Sequence, residues 1–318
     1  MMSPRRPQLP VLVTLLGLLA ASLPLEAAPA PRERTLILIA GRPSHGPLDH
    51  EFRAGCLLLQ KCLAATPHLH VEVHTNGWIN TPNALDKADG VLIYADGGGG
   101  HPAIQADHLQ ILSGLASRGV GLGFAHYGVE FPSTNGGPQM LEWTGGYYEH
   151  LWSVNPMWTP NFTNFPYHAV TRGVQPFAVN DEWYFNMRWR SKDMRYVTPI
   201  LVAKPSDQVR GGPYVYPPGP YEHIKAASGR DETMMWICDH NGGGRGFGFT
   251  GGHRHLNWGN DNFRKVVLNA LLWITHVDVP KGGVSSSVTE EDLMQNLDPK
   301  PGRKPPVTPT KPATPAAK

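Results

Sequence analysis

Apolar runs alternate with amphipathic segments through the first half of the chain, and this alternation predicts a layered α/β sheet. Three of the predicted strands are apolar almost throughout, which is typical of a parallel sheet covered on both faces. The predicted strands cover residues 35–40, 69–74, 90–95 and 119–125. Apolar residues at helical spacing predict helices between them, over residues 50–65 and 104–117.

The second half is less regular, but it closes with the same kinds of element. Further strands are predicted over residues 198–203, 234–238 and 246–250, and a final helix over residues 260–275. A short helix is predicted over residues 289–296, because Thr289 and Asp292 fit a capped start. Strands and helices in this order predict one doubly wound, mostly parallel sheet, whose ligand crevice lies beyond the carboxyl ends of the strands.

The two ends of the chain have different compositions from the body. Residues 1–30 combine Arg5 and Arg6 with an apolar run and small residues, which indicates a signal peptide and a secreted or periplasmic protein that spans no membrane after processing. An uncleaved anchor is the alternative. Residues 300–318 are rich in Pro, Lys and Thr and are predicted to be disordered. Residues 34–279 then form one α/β domain, and residues 280–299 form an extension that carries the short helix.

Composition narrows the choice of partner. The chain has 318 residues and a net charge of +2, and its Lys and Arg residues are scattered, so no nucleic-acid partner is expected. The three cysteines, Cys56, Cys62 and Cys238, are interpreted as buried thiols without a disulfide framework. The oligomeric state is not predicted.

The segment Gly121–Gly128 is the most informative for chemistry. A glycine-rich strand ends at His126-Tyr127 and turns at once, which is the geometry of a nucleophile elbow. His126 occupies the position where acyl-transfer enzymes have Ser or Cys. An imidazole there can act as a general base or as a metal ligand. A histidine tied into a loop hydrogen-bond network is the alternative.

Two more polar segments are candidates for the same site. His253 and His255 follow a pair of glycines after a predicted strand, and their spacing directs them to opposite sides of an extended chain. His253 is expected in the pocket, while His255 could bind substrate or have a surface or capping role. Asp181 and Glu182 are adjacent, so only one of them should face the site. Either carboxylate could instead cap backbone amides.

The loop after the first predicted strand holds a fourth set of polar residues, Ser44-His45 and Asp49-His50-Glu51. Imidazoles and carboxylates at this density suggest zinc or another divalent metal, although the spacing fits no strict motif. Asp49 is equally plausible as the N-cap of the following helix. His45 is the member of this loop that we expect in the site.

Several of these segments together resemble the ThuA-like, or trehalose-utilisation, family. The resemblance covers about residues 34–276, and the motifs occur in the family's order. They are the 35–40 strand, the 121–128 turn, Gly145-Gly146, the 167–173 segment, Asp181-Glu-Trp-Tyr184 and the 244–253 segment. The resemblance implies a flavodoxin-like fold of the class I glutamine amidotransferase type. It also implies a small-molecule carbohydrate as partner. The catalytic cysteine of those amidotransferases has no counterpart at His126, so glutaminase activity is not expected.

These observations lead to one functional hypothesis with two rivals. The chain is predicted to be an exported enzyme, a hydrolase or isomerase, acting on a disaccharide or an oxidised (keto) sugar. Acid–base catalysis is assigned to His126, His253 and Glu182, and substrate binding to His45, Tyr127, Asp181, Tyr184 and His255. The rivals are a non-catalytic carbohydrate-binding module and a metal-dependent hydrolase.

Overall fold

The computed structural model describes residues 32–301, and its first half alternates strands with helices as the apolar pattern predicts. The elements are β1 (Arg34–Ala40), α1 (Phe52–Leu63), β2 (Leu69–His74), β3 (Gly90–Tyr94), α2 (His108–Ser117) and β4 (Gly121–Ala125). The predicted signal peptide and all but the first two residues of the predicted disordered tail lie outside the described residues.

A segment of short elements follows β4. It contains the helix α3 (Gly137–Trp143) and six two-residue strands: β5 (Gly146–Tyr147), β6 (Met157–Trp158), β7 (Asn161–Phe162), β8 (Phe177–Ala178), β9 (Asp181–Glu182) and β10 (Arg188–Trp189). These strands pair antiparallel as β5 with β10, β6 with β9, and β7 with β8. Strands of this length carry no readable alternation, so the sequence pattern did not predict them.

The chain then returns to the main sheet. The elements are β11 (Thr198–Ala203), α4 (Asp207–Arg210), α5 (Glu222–Lys225), β12 (Glu232–Asp239), β13 (Arg245–Phe249), α6 (Asp261–Ile274) and α7 (Glu290–Leu293). Short 3₁₀ turns cover Ala84–Lys87, Gly98–Gly100, Pro102–Ile104, His126–Val129, Ala169–Thr171, Asn241–Gly243 and His255–Gly259.

Seven strands form the main sheet, in the order β11-β12-β13-β4-β3-β1-β2. The neighbouring pairs β2–β1, β1–β3, β3–β4 and β4–β13 are parallel. Strand β12 pairs antiparallel with both β13 and β11. The predicted doubly wound, mostly parallel sheet is confirmed. The strand order reverses between β1 and β3, and open sheets of this type bind ligands at such a reversal.

The two faces of the sheet bury separate cores, which explains the continuous apolar runs. Leu36 and Leu38 of β1 pack with the layer of α1 and α6, while Ile37 and Ile39 pack with the layer of α2 and α3. All four side chains have no exposed surface. Successive residues of a strand point to opposite faces, so a strand covered on both sides must be apolar at every position.

Helix boundaries differ from the predictions where local hydrogen bonds decide them. Asn260 caps α6 by accepting from the amides of Asn262 and Phe263. Thr289 and Asp292 form the expected capping box of α7, which ends at Leu293. The predicted 104–117 helix is divided, because Ala106 has a φ of +48° and α2 starts only at His108.

The extension after α6 packs against the loop that precedes α1. Lys300, assigned above to the disordered tail, is buried and donates to the carbonyl oxygens of Gly46, Asp49 and His50. It also lies 3.5 Å from the Glu51 carboxylate, which accepts from the Asp298 amide. Satisfying these buried groups orders the chain through Lys300.

The interpretation of the cysteines as buried thiols holds for two of the three. The three cysteines are free thiols; Cys56 and Cys238 are buried, whereas Cys62 is only half-buried at the margin of α1. Within residues 32–301, no helix is both long enough and apolar enough to cross a membrane.

Candidate functional site

The ends of three neighbouring parallel strands bring polar side chains together at the point where the strand order reverses. The loop after β1 carries His50, Asp96 follows β3 by two residues, and His126 follows β4 directly. The Asp96 carboxylate lies 2.7 Å from Nδ1 of His50, and Nε2 of His50 lies 2.9 Å from Nε2 of His126. The expected gathering of strand-end residues is therefore present.

His126 sits on a sharp turn like that of a nucleophile elbow. Its φ of +53° is uncommon for a residue with a side chain, and a 3₁₀ turn starts there. The neighbouring backbone is close, since a Cβ on Gly97 would lie 2.2 Å from the Tyr127 carbonyl oxygen. The ring is fully buried, with Nδ1 3.1 Å from the Thr250 carbonyl oxygen.

Backbone pairing between two distant loops places His50 beside His253. Asp49 and Arg254 form an antiparallel bridge. The His50 amide donates to the His253 carbonyl at 2.9 Å, and the His255 amide donates to the Leu48 carbonyl at 2.8 Å. Asp49 is therefore not the N-cap of α1, a position held by Glu51 without a side-chain cap. Its carboxylate instead lies 3.6 Å from Nε2 of His253.

Three imidazoles and one carboxylate meet at the centre of the site. Nδ1 of His253 lies 3.0 Å from Nε2 of His50 and 2.8 Å from Oε2 of Glu182. The same Glu182 oxygen is 3.6 Å from Nε2 of His126. Each of the four residues offers one donor atom, and all four atoms lie within 4.8 Å of one another. We call His50, His126, Glu182 and His253 the central cluster.

The adjacent carboxylates of β9 point in opposite directions, as expected for neighbours on a strand. Glu182 joins the central cluster, and its other oxygen accepts from the Asn155 amide at 2.8 Å. Asp181 is fully buried and accepts from the backbone amides of Gly252 and Arg254 at 2.7 and 3.1 Å. Asp181 therefore holds the loop that carries His253 and has no surface to offer a substrate.

Burial controls the ionisation of the central cluster. It is the main cause of the lowered pKa values of His126 and His50, because a charged ring is poorly solvated there. Burial also disfavours the charged form of His253, but hydrogen bonds to Asp49 and Glu182 raise its pKa to about 9. Burial raises the pKa of Glu182, although the contact with His253 opposes this.

An open cleft of about 540 Å³ lies above the central cluster. His50 and Glu182 are the cluster residues on its wall, and the 3₁₀ turn of glycines after β3 forms part of its margin. The remaining lining residues are His45, Tyr127, Glu130, Phe131, Pro132, His150, Asn155, Tyr184, Val215 and Tyr216. Its size and mixed apolar and polar lining are those of a small-molecule site.

The residues expected to bind substrate divide into two groups. His45, Tyr127 and Tyr184 line the cleft, and the Tyr184 hydroxyl is 3.3 Å from Nε2 of His126. Asp181 and His255 are both fully buried and do not line it. His255 was expected in a substrate-binding, surface or capping role, but its amide pairs with the Leu48 carbonyl, which turns the side chain into the interior.

Sequence reasoning selected His45 of the first loop, which lines the cleft, and did not select His50, which joins the central cluster. His45 is stacked on His50 at 3.5 Å between ring centroids, but its side chain is 43 % exposed and it stays outside the central cluster. Asp96 was passed over although it follows the predicted strand of residues 90–95 as directly as His126 follows the predicted strand of residues 119–125. Glu130 was also missed; burial raises its pKa to about 7, with the charge of Glu182 adding to the effect.

Comparison with known proteins agrees with this arrangement of strands. A ThuA-like protein from Bacteroides uniformis ATCC 8492 matches with a TM-score of 0.55 at 14 % identity, covering 80 % of this chain and 96 % of that one. A ThuA-like protein from Parabacteroides merdae ATCC 43184 matches with a TM-score of 0.53 at 14 % identity, covering 82 % of this chain and 94 % of that one. A glutamine amidotransferase from Thermotoga maritima matches with a TM-score of 0.41 at 10 % identity, covering 77 % of this chain and 97 % of that one.

The sequence itself assigns the family. No curated protein matches the chain. The profile of the ThuA family, described as trehalose utilisation, matches residues 43–274, a span that includes the whole central cluster. The match takes in well over half of the chain, and the chain therefore belongs to the ThuA family.

Proposed function

We propose that this protein is an enzyme that converts a small carbohydrate, a disaccharide or an oxidised (keto) sugar, in the cleft above the central cluster. The observation that carries the proposal is the convergence of three buried imidazoles and the Glu182 carboxylate beneath an open cleft. The family's description as trehalose utilisation supports a sugar as the substrate class.

The lining of the cleft suits a sugar. Tyr127 and Tyr216 supply aromatic faces, and the Tyr216 side chain is 68 % exposed, so it is available to a ligand. Aromatic rings offer large apolar faces together with a polar edge. Asn155, Glu130 and His150 add hydrogen-bonding groups to the same wall. A small number of placed polar groups among aromatic ones would orient a polyhydroxylated ring.

Glu182 is the central-cluster residue best placed for proton transfer to or from a bound sugar. It lies on the cleft wall and its pKa is raised by burial, which is the tuning that general acids and bases need. His126 and His253 lie behind it, 3.6 and 2.8 Å from its Oε2 atom. The contact with His253 opposes the effect of burial on the pKa of that carboxylate. Hydrolysis and isomerisation of a sugar both require such a group.

Acyl transfer through a thiol does not fit this site. His126 occupies the turn, and none of Cys56, Cys62 and Cys238 lines the cleft. Burial raises the pKa of Cys56 and Cys238, which keeps the thiols protonated and poorly nucleophilic. We therefore propose that the protein has no glutaminase activity.

We also propose that the protein is exported, on the basis of residues 1–30 alone. Fractionation of cells that express the full chain, followed by N-terminal sequencing of the product, tests this. Export predicts a mature chain in the periplasm or medium that starts close to residue 30. A full-length chain retained in the membrane or cytoplasm would contradict it.

Calorimetry with a panel of disaccharides and keto sugars, followed by product analysis, tests the enzymatic proposal. The wild type should bind and convert at least one sugar, and His126→Ala and Glu182→Gln should lower the rate by more than about a hundredfold. Glu142→Gln, on the exposed side of α3, is the matched control and should keep full activity. Binding without conversion would favour a non-catalytic carbohydrate-binding module, and no binding to any sugar would end the proposal.

A further inference from the structure

We propose that His50, His126, His253 and Glu182 bind one divalent transition-metal ion at the floor of the cleft. The donor atoms are Nε2 of His50 and His126, Nδ1 of His253 and Oε2 of Glu182, and the ion would replace the proton that His253 shares with Glu182. The inference deepens the proposed function and rests on it for the catalytic meaning of the ion. With an ion bound, Glu182 would be a ligand through Oε2, and the ion would supply the activation of the sugar assigned above to that carboxylate. The ligand chemistry can be argued and tested without any sugar.

The positions of the protons on two imidazoles favour a bound cation. Nδ1 of His126 faces the Thr250 carbonyl oxygen at 3.1 Å, and Nδ1 of His50 faces the Asp96 carboxylate at 2.7 Å. A carbonyl or carboxylate oxygen can only accept, so each ring places its proton on Nδ1 and carries a lone pair on Nε2. These two Nε2 atoms are 2.9 Å apart. Two lone pairs at that separation repel, whereas a shared cation would satisfy both.

The distances between the donors match the coordination sphere of a small ion. Four donor pairs are separated by 2.9 Å (His50–His126), 3.0 Å (His50–His253), 2.8 Å (His253–Glu182) and 3.6 Å (His126–Glu182). Ligands at bond lengths of about 2.0–2.1 Å around a tetrahedral ion lie about 3.3 Å apart. The cluster therefore needs only small side-chain shifts to close on an ion.

Each proposed ligand is held by a partner outside the cluster. Asp96 orients His50 and the Thr250 carbonyl orients His126. The Asp49 carboxylate lies 3.6 Å from Nε2 of His253, and Asn155 donates to the free oxygen of Glu182. Metal-binding histidines usually have such partners, which fix the tautomer and raise the basicity of the ligand.

The position of the cluster would let a substrate reach the ion from the cleft side only. His50 and Glu182 line the cleft, whereas His126 is fully buried beneath them. A donor set of three imidazoles and one carboxylate suits zinc and other first-row divalent ions. It does not suit Ca²⁺ or Mg²⁺, because these ions prefer oxygen ligands. An ion there could polarise a sugar oxygen that enters from the cleft.

A second group of possible ligands, His45, His50 and Asp96, does not carry a separate site. It would use Nδ1 of His50, the atom whose proton is needed for the bond to Asp96. His45 is also half-exposed, with its Nδ1 atom 3.9 Å from the Asp96 carboxylate. We assign Asp96 and His45 the role of supporting the central cluster through their contacts with His50.

Metal content measured without any sugar tests the inference. The full chain is purified without chelator, analysed by mass spectrometry for bound metals, then stripped and titrated with Zn²⁺, Mn²⁺ and Fe²⁺. We expect about one ion per chain for the wild type, and an affinity lowered by more than about tenfold in His50→Ala, His253→Ala and Glu182→Gln. His150→Ala, on the same cleft but outside the cluster, is the control and should bind like the wild type.

The outcomes separate this inference from the proposed function. A stripped wild type that binds none of the three ions, or ligand variants that bind them as the wild type does, would overturn the metal site. Circular dichroism of each stripped variant shows whether it is folded. If a histidine variant does not fold, the metal affinity of Glu182→Gln, which keeps the shape of the side chain, decides the test. Metal binding without sugar binding would contradict the proposed function and leave the metal site standing. Equal turnover by the stripped and the metal-loaded enzyme would contradict a catalytic role of the ion and leave both metal binding and the proposed function standing.

Discussion

Asp181 and Glu182 are neighbours in the chain but have different tasks in the molecule. Glu182 faces the cleft and the imidazoles, while Asp181 accepts backbone amides from the loop that carries His253. The alternation of a strand predicts that two such neighbours diverge, but it does not predict which one faces the site. That choice depends on the pairing of β9 with β6, two residues long, which leaves no pattern in the sequence.

Asp181→Asn tests the positioning task. The new amide group would place a donor against backbone donors, so we expect the free energy of unfolding to fall by about 1–3 kcal/mol. Metal retention should fall as well, because the loop that carries His253 loosens. Urea denaturation measures the first effect. The control is Asp278→Asn, an exposed carboxylate that should change stability by less than about 0.5 kcal/mol. Equal stability of Asp181→Asn and wild type would contradict the assignment.

Glu130 provides a pH-dependent prediction for the metal-free protein. Burial, with a contribution from Glu182, raises its pKa from 4.5 to about 7 in the folded state. A carboxyl group whose pKa is higher in the folded than in the unfolded state stabilises the fold at pH values below its unfolded-state pKa. That stabilisation is lost as the pH rises through its folded-state pKa. The Nδ1 atom of His150 lies 3.9 Å from the Glu130 carboxylate, and burial, with the charge of Glu130, raises the pKa of the neighbouring Tyr127 hydroxyl.

Glu130→Gln removes that ionisation. Between about pH 4 and pH 8, the wild type should lose up to about 3 kcal/mol of unfolding free energy relative to Glu130→Gln, an upper limit set by the shift in pKa. Urea denaturation of both proteins across this range measures the difference. Parallel stability curves would show that Glu130 titrates as an ordinary exposed carboxyl.

At the scale of elements, the site depends on contacts between segments that are far apart in the chain. The loop before α1 pairs with the loop after β13, and the extension after α6 covers the first of these loops. Sequence patterns placed the main strands within a few residues, since apolar runs report burial directly. They could not identify His50, because its entry into the site depends on pairing with residues 253–255.

Lys300→Met tests the contribution of the extension. The substitution keeps the buried stem but removes the ammonium group from three carbonyl oxygens and from the fully buried Glu51 carboxylate. Leaving that carboxylate without its cation should cost about 3 kcal/mol of unfolding free energy, measured by thermal or urea denaturation.

Two comparisons make the Lys300 result specific. Lys281→Met, an exposed lysine of the same extension, should leave stability unchanged. The double variant Glu51→Gln/Lys300→Met removes both charges and should be more stable than Lys300→Met alone. Equal stability of Lys300→Met and wild type would show that the extension does not support the loop.

For the whole molecule, the parallel topology is what the sequence predicted best and the site is what it predicted least completely. The switch in strand order between β1 and β3 brings the loops of residues 41–51, Asp96 and His126 to one edge. The rule that ligands bind there led us to expect these side chains in one place, and the structure brings them together. The rule does not describe the segment between β4 and β11, which supplies Glu182, Asn155 and Tyr184 to the cleft.

The central claim is that one cluster at the strand ends forms a metal-binding centre that serves a carbohydrate cleft. A crystal of the full chain, grown without chelator and soaked with a disaccharide, tests it most directly by anomalous diffraction. We predict an ion peak bounded by His50, His126, His253 and Glu182, with sugar density beside Tyr127 and Tyr216. A fully occupied sugar at another surface, or the four side chains closed on one another with no ion between them, would contradict the account.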